Sequence, residues 1–105
     1  MRSLEECIEA CLNCLRACEI CATRCIEMGE KDYADCIKNC RDCADICNLC
    51  IKWLCRQSKF SEELCSLCAK ICESCALECD KHADMHEHCR RCAEACRRCA
   101  EICGK

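Results

Sequence analysis

The sequence predicts an all-α protein, an antiparallel up-down-up-down four-helix bundle with a cysteine-lined core. Two observations lead to this prediction. The 22 cysteines among 105 residues fall into four runs whose steps alternate between three and four residues, which is the spacing of one helix face. The chain also has no proline and only two glycines, too few for the many turns of a β-sheet protein. Because a chain of this length is one domain in size, we expect residues 1–105 to form a single domain.

The cysteine runs define the interior of the predicted bundle. A mean step of 3.5 residues places every cysteine of a run on one stripe of its helix, where leucine and isoleucine occupy the core of an ordinary bundle. Cys55 departs from this pattern, one position after the in-register Leu54, and is either an off-axis ligand or a surface thiol. The four cysteine stripes are Cys7, Cys11, Cys14, Cys18, Cys21 and Cys25; Cys36, Cys40, Cys43, Cys47 and Cys50; Cys65, Cys68, Cys72, Cys75 and Cys79; and Cys89, Cys92, Cys96, Cys99 and Cys103.

Four helices follow from these stripes and from the residues between them. We expect helices near residues 4–28, 33–56, 61–81 and 85–103. Connections this short join antiparallel neighbours. The residues at the predicted helix ends are of types that commonly cap helices. We expect capping boxes formed by Ser3 with Glu6 and by Asp84 with Glu87, N-caps at Asp32 and Ser61, and C-terminal glycines with positive φ at Gly29 and Gly104.

Charge and hydropathy exclude several functional classes. A net charge of −3 gives no basic surface for nucleic acid, and the apolar runs are far shorter than the ~20 residues that span a bilayer. Glu5, Glu6 and Glu9 occupy the region where a signal peptide needs an apolar stretch. We therefore expect a cytoplasmic protein without a nucleic-acid or membrane partner. Its acidic residues form no isolated carboxylate pair, so we expect no catalytic residues and no enzymatic activity.

The density of thiols points to soft metal ions rather than to disulfides. The cytosol reduces disulfides, and residues at i and i+4 on a helix have Cβ atoms ~5–6 Å apart, farther than the roughly 3.5–4.5 Å of a disulfide. Iron–sulfur clusters use a few cysteines and would leave most of the four stripes unexplained. Zinc and copper are the remaining candidates.

Charge favours copper over zinc. A zinc tetrathiolate keeps a charge of about −2, so about five such sites would store about ten negative charges in the interior, where each uncompensated charge costs several kcal/mol. Cu(I) carries one positive charge per thiolate and prefers soft sulfur ligands. The residues therefore favour multiple Cu(I) ions per chain, bound by the cysteines.

Nine CxxxC pairs offer two-coordinate metal sites within single helices. Two sulfurs on opposite sides of one ion lie about 4.6 Å apart if the metal–sulfur bond is ~2.3 Å long, and rotation about χ1 brings thiols at i and i+4 to that separation. A third sulfur from a neighbouring helix would make trigonal sites or clusters. The pairs are Cys7/Cys11, Cys14/Cys18, Cys21/Cys25, Cys36/Cys40, Cys43/Cys47, Cys68/Cys72, Cys75/Cys79, Cys92/Cys96 and Cys99/Cys103.

Soft ligands other than cysteine collect at one end of the predicted bundle. Continuing the stripes places His82 and His86 in register with the third helix and His82 and Met85 in register with the fourth, whereas His88 lies outside both. We expect metal to enter at this histidine end, with His82, Met85 and His86 as ligands, and the opposite, hydrophobic end to be closed. The histidine end comprises Met28, Tyr33, His82, Met85, His86 and His88, and the hydrophobic end comprises Leu4, Trp53, Leu54, Phe60 and Leu64.

Four helices of CxxxC and CxxC repeats with a His- and Met-bearing end resemble the cytosolic bacterial copper storage proteins. The resemblance covers essentially the whole chain. It implies Cu(I) storage or buffering, thiolate clusters inside the bundle and assembly into a homotetramer. His82, Met85 and His86 are the same types of residue as those at the end of the family's bundle where copper enters. Apolar residues outside the stripes are candidates for a subunit contact, namely Leu12, Ile20, Ile26, Leu49, Leu67 and Leu77.

Two functional classes stay open on the residues alone. The favoured one is a non-catalytic store that binds many Cu(I) ions. The alternative is a general thiolate buffer for zinc or other heavy metals, of the metallothionein type, for which helical order is unnecessary. A thiol redox enzyme would need one cysteine with a distinctly low pKa, and the regular pattern singles out none.

Overall fold

A computed structural model of the chain describes residues 3–104; the remaining three residues of the predicted domain, 1, 2 and 105, lie outside the described part. Residues 3–104 contain four α-helices: α1 (Leu4–Met28), α2 (Ala34–Cys55), α3 (Ser61–Asp80) and α4 (Glu87–Cys103). Each helix packs against two others, in the order α1, α2, α3, α4 around the bundle. The predicted all-α four-helix bundle is therefore confirmed.

The bundle is long and narrow, which determines how its interior is filled. It measures 41 × 19 × 17 Å, and its long axis matches the ~37 Å expected of a 25-residue helix such as α1. In a bundle this narrow, one row of side chains from each helix is enough to fill the space between the four helices. The interior is consequently a column, and the cysteine stripes supply its side chains.

The first helix begins and ends as its sequence predicts. The Ser3 hydroxyl accepts a hydrogen bond from the Glu6 backbone N–H at 3.1 Å, and the Glu6 carboxylate accepts one from the Ser3 N–H at 3.2 Å. This reciprocal pair is the capping box. At the other end Gly29 adopts a φ of 67°, a left-handed conformation that is inexpensive only without a Cβ atom.

Three other predicted caps are wrong, and a fourth, Gly104, follows the last residue of its helix as predicted but lacks the predicted positive φ. Asp32 lies inside a short 3₁₀ helix (Lys31–Tyr33), so α2 starts after it, with Tyr33 as an N-cap that makes no side-chain bond. Ser61 is already the first residue of α3, and its hydroxyl donates to the carbonyl of Trp53 at 3.4 Å. Asp84 lies in a turn, and α4 starts only after His86. Gly104 has a right-handed φ of −77° because its N–H continues the helical bonding to Ala100.

Cysteine replaces hydrocarbon as the main filling of the core. All of the cysteines are buried except Cys7, which is half-buried, and Cys55, which is exposed. Alanines beside the stripes are also buried, among them Ala22, Ala44 and Ala93, so that adjacent helices approach closely. A protonated thiol packs as a small apolar group, which explains how a core with so little leucine and isoleucine remains close-packed.

The outer surface is charged, with scattered apolar residues. Arg90 on α4 contacts Glu87 at 3.0 Å and Glu94 at 2.9 Å, and the other arginines of this helix are exposed as well. The six apolar residues outside the stripes are exposed too: Leu12, Ile20, Ile26, Leu49, Leu67 and Leu77. Across residues 3–104, no helix has the length and hydropathy that a membrane crossing requires.

Candidate metal centre

The sulfur atoms of all four helices meet along the bundle axis. Cys14 on α1 shows the arrangement: its Sγ lies 3.6 Å from that of Cys43 on α2, 3.9 Å from Cys72 on α3 and 3.8 Å from Cys96 on α4. The Sγ atoms of Cys43 and Cys72 are 3.5 Å apart. The inward convergence of the four stripes, on which the metal prediction depends, is therefore confirmed.

The CxxxC pairs also bring their sulfurs together within single helices. The Sγ atoms lie 3.9 Å apart in Cys14/Cys18 and in Cys92/Cys96, and 3.8 Å apart in Cys99/Cys103. Contacts between helices are as short as these. A metal ion at any level of the column therefore has donors from its own helix and from neighbours, so clusters with shared sulfurs are geometrically accessible.

None of the 22 cysteines is in a disulfide. The nearest sulfur neighbours are 3.5 Å or more apart, well beyond the ~2.05 Å of a covalent S–S bond. Several groups of four are close enough to share one ion, with all donor atoms within 4.8 Å of one another, for example Cys14, Cys18, Cys43 and Cys96. The column is thus a reservoir of reduced, buried sulfur donors.

The pKa values of the core thiols are interdependent. The hydrogen bond between Cys14 and Cys18 lowers the pKa of Cys14 and raises the pKa of Cys18, because one thiolate is stabilised while its neighbour keeps the proton. Near the histidine end, burial raises the pKa of Cys25 and of Cys89, and nearby cysteines raise both further. The thiols of the metal-free core therefore do not ionise independently, and bound cations must replace the protons that they keep.

The histidine end is a connected cluster of rings beside the sulfur column. The Tyr33 hydroxyl lies 2.8 Å from Nε2 of His86, and the buried Tyr33 ring meets the His82 ring edge-on with centroids 4.1 Å apart. His86 stacks on His88 at a centroid distance of 5.3 Å. Nε2 of His88 in turn lies 3.6 Å from Sγ of Cys25. The rings thus connect the surface to the first sulfurs of the column.

The predicted soft ligands of this end differ in exposure. His82 is buried, and its Nε2 atom has no hydrogen-bond partner among the described residues. His86 is partly exposed, and Met85 is 66% exposed, outside the column, on a groove of about 700 Å³ that His86 and His88 also line. Met28 packs against the core. His82 and His86 therefore lie on the way to the column, whereas Met85 lies at its outer rim.

His88 is a candidate metal ligand that sequence reasoning left out of the site. Its donor atom lies within 4.8 Å of the sulfurs of Cys21, Cys25 and Cys89, so His88 joins a four-donor group with the column. Burial lowers the pKa of His88, which favours the neutral, metal-binding form of the ring. The available signal was its position directly before Cys89, the first cysteine of its stripe.

The opposite end of the bundle is only partly closed by apolar residues. Leu54 is buried and Leu64 packs against the core, while Trp53 and Phe60 contact each other with ring centroids 6.2 Å apart. Leu4 and Phe60 are exposed, so they do not fill the end of the column as predicted. Cys55 is exposed here as well, because α2 turns it away from the axis one position after Leu54.

The fold and the site together define a helical protein whose buried thiols form a polynuclear centre for soft metal ions. The family model for the copper storage protein (Csp) matches residues 1–105. The chain belongs to this family.

Solved structures of copper storage proteins have the same fold. The copper-free copper storage protein 3 of Bacillus subtilis aligns with a TM-score of 0.89 and 48% identity, over 97% of this chain and 96% of that one. The Cu(I)-bound protein BsCsp3 aligns with a TM-score of 0.87 and 49% identity, over 94% and 92% of the two chains. A cytosolic copper storage protein from Streptomyces lividans with five coppers aligns with a TM-score of 0.88 and 41% identity, over 95% of this chain and 88% of that one.

Proposed function

We propose that this chain is a cytosolic Cu(I) store that binds many copper ions through the thiolates inside its bundle. The observation that carries the proposal is the continuous column of buried cysteines, in which Cys14 contacts one sulfur from each of the other three helices. The Cu(I)-bound and copper-loaded relatives support the same cargo. Storage is a binding role, and the column serves it without a catalytic step.

Charge balance explains why the column suits a monovalent ion. Each thiol that binds Cu(I) loses a proton and gains a cation, so an ion-to-thiolate ratio near one leaves the interior close to neutral. A divalent ion held by four thiolates leaves a charge of about −2 at each site, and several such sites in one narrow column would repel one another. The same thiols therefore accept many Cu(I) ions at a small electrostatic cost.

Copper enters, in this proposal, at the histidine end. His86 is partly exposed there, His82 is buried with an unpartnered nitrogen, and His88 touches Cys25. An incoming ion thus meets imidazole nitrogens before the first sulfurs. Imidazole binds Cu(I) less strongly than thiolate does, so the ion passes inward.

The proposal includes assembly into a homo-oligomer, a tetramer by resemblance to the family. The exposed leucines and isoleucines support it, since Leu77 is 68% and Ile26 53% exposed on a small bundle. Analytical ultracentrifugation of the full chain tests this part, with a mass near four chains expected. A monomeric mass would overturn the oligomer and leave the storage role untouched.

Anaerobic titration of the reduced protein tests the storage role. With a chromophoric Cu(I) chelator as competitor, we expect saturation near one Cu(I) per buried thiol. Tight loading at one Zn(II) per four thiols, with weak copper uptake, would instead establish the general thiolate buffer.

A further inference from the structure

One four-donor group at the histidine end differs in chemistry from the rest of the column. Cys21 and Cys25 on α1 meet His88 and Cys89 on α4, with all four donor atoms within 4.8 Å of one another. The groups deeper in the column consist of cysteines, such as Cys11, Cys47, Cys68 and Cys99. Three thiols with one imidazole are a common ligand set of structural zinc sites.

The geometry of this group suits a tetrahedral ion. Zinc–sulfur bonds of ~2.3 Å place two sulfurs of a tetrahedron about 3.8 Å apart. The four donors are already inside 4.8 Å, and Cys25 Sγ lies 3.6 Å from His88 Nε2. Small side-chain rotations therefore complete the tetrahedron without moving the helices.

The charge of this group also suits a divalent ion better than any all-cysteine group does. Three thiolates, a neutral imidazole and Zn²⁺ sum to a charge of −1, whereas a tetrathiolate keeps −2. Arg24 lines the same groove as His88 and carries a positive charge there. The positive charge of Arg24 in the shared groove favours the remaining charge of −1.

We propose that, in the copper-free protein, Cys21, Cys25, His88 and Cys89 bind one Zn²⁺ ion, a single divalent site at the histidine end of the column. Binding releases the thiol protons to solvent and ties α1 to α4 at the end where copper enters. The all-cysteine groups, with a charge of −2 per ion, take zinc more weakly. The inference stands apart from the Cu(I) store, because it concerns the empty protein.

Zinc titration of the reduced, copper-free full chain against a chromophoric zinc chelator tests the proposal. We expect one Zn²⁺ per chain to be held much more tightly than any further ion. His88→Ala should weaken this first ion by at least about 100-fold, whereas Cys55→Ser, which alters an exposed thiol, should leave it unchanged. Co²⁺ as a probe should give the absorption of a tetrahedral, three-sulfur site in the wild-type chain and lose it in His88→Ala.

Two further measurements keep the result decisive. Circular dichroism checks that His88→Ala stays helical, and His88→Cys, which restores a fourth soft donor but adds one negative charge, should recover only part of the zinc affinity. Equal affinity of the wild type and His88→Ala for the first ion would overturn the proposal, as would several equally tight zinc ions per chain. The Cu(I) capacity of the same variant is measured separately, so failure here is distinguishable from failure of the storage role.

Discussion

Cys14 is the position where the structure makes the sharpest prediction about both stability and copper capacity. Its side chain is fully buried, and its Sγ contacts the sulfurs of Cys18, Cys43, Cys72 and Cys96, which represent all four helices. Cys14→Ser keeps nearly the same shape but puts a hydroxyl among sulfur atoms, which are weak hydrogen-bond acceptors. The substitution therefore changes the chemistry at the centre of the column and little else.

The expected magnitudes follow from this environment. A buried polar group without a good partner costs about 1–3 kcal/mol, so the free energy of unfolding of the copper-free protein should fall by that amount. A hydroxyl is a poor ligand for Cu(I), so the variant should also bind at least one ion fewer than the wild type. Cys55→Ser is the matched control: its thiol is exposed, and we expect a stability change within about 0.5 kcal/mol and full copper capacity.

Anaerobic denaturant unfolding, followed by circular dichroism, measures the stability of both variants, and chelator competition counts their copper ions. The reasoning fails if Cys14→Ser keeps the full number of ions, or if Cys14→Ser and Cys55→Ser are destabilised equally. Either result would mean that the sulfurs around Cys14 do not act as a shared, buried donor set.

Three other predictions concern the histidine end, pH and bound metal. Replacing His82, Met85 and His86 together by alanine should slow Cu(I) loading in stopped-flow measurements while leaving the final number of ions nearly intact; an unchanged rate would remove these residues from the path. Because burial raises the pKa of Cys25 and Cys89, these two thiols hold their protons more tightly in the folded copper-free protein than in the unfolded chain. Their contribution to stability should therefore be constant below the ordinary thiol pKa and fall above it, by up to about 1.4 kcal/mol per pH unit for each thiol; Cys25→Ala and Cys89→Ala should flatten the fall in stability above pH 9, and an unchanged slope would contradict this sign. Copper should stabilise the fold by about 4 kcal/mol for each ion present at a thousandfold excess over its dissociation constant, and a thermal midpoint that does not rise on loading would argue that copper binds outside the folded core.

The fold was predictable because one strong periodic signal determines it. Steps of three and four residues fix which face of each helix is buried, and the buried cysteines follow that face through α1, α2, α3 and α4. Cys55 broke the period by one position, and the structure exposes it for that reason. The helix ends were less predictable, since the turn after Asp80 delays α4 and removes Asp84 from its expected cap.

The site was predictable in composition and less so in geometry. Sequence period gives the direction of each Cβ atom but not the rotation and rise of one helix relative to another, which set contacts such as Cys43 to Cys72. The same limit explains why the sequence did not indicate His88 as a ligand. Its backbone lies beside the stripe, but its side chain is long enough to reach Cys25 across the α1–α4 boundary. Met85 illustrates the reverse case, because a residue in register with the stripe lies in a turn and is exposed.

The position of copper in the loaded protein tests the central claim most directly. Crystals of the Cu(I)-loaded chain, measured at the copper absorption edge, give the anomalous scattering of each bound ion. We predict a file of copper peaks along the bundle axis, each between cysteine sulfurs from one or more helices. Copper peaks confined to the outer surface of the helices, with an empty sulfur column, would contradict the account.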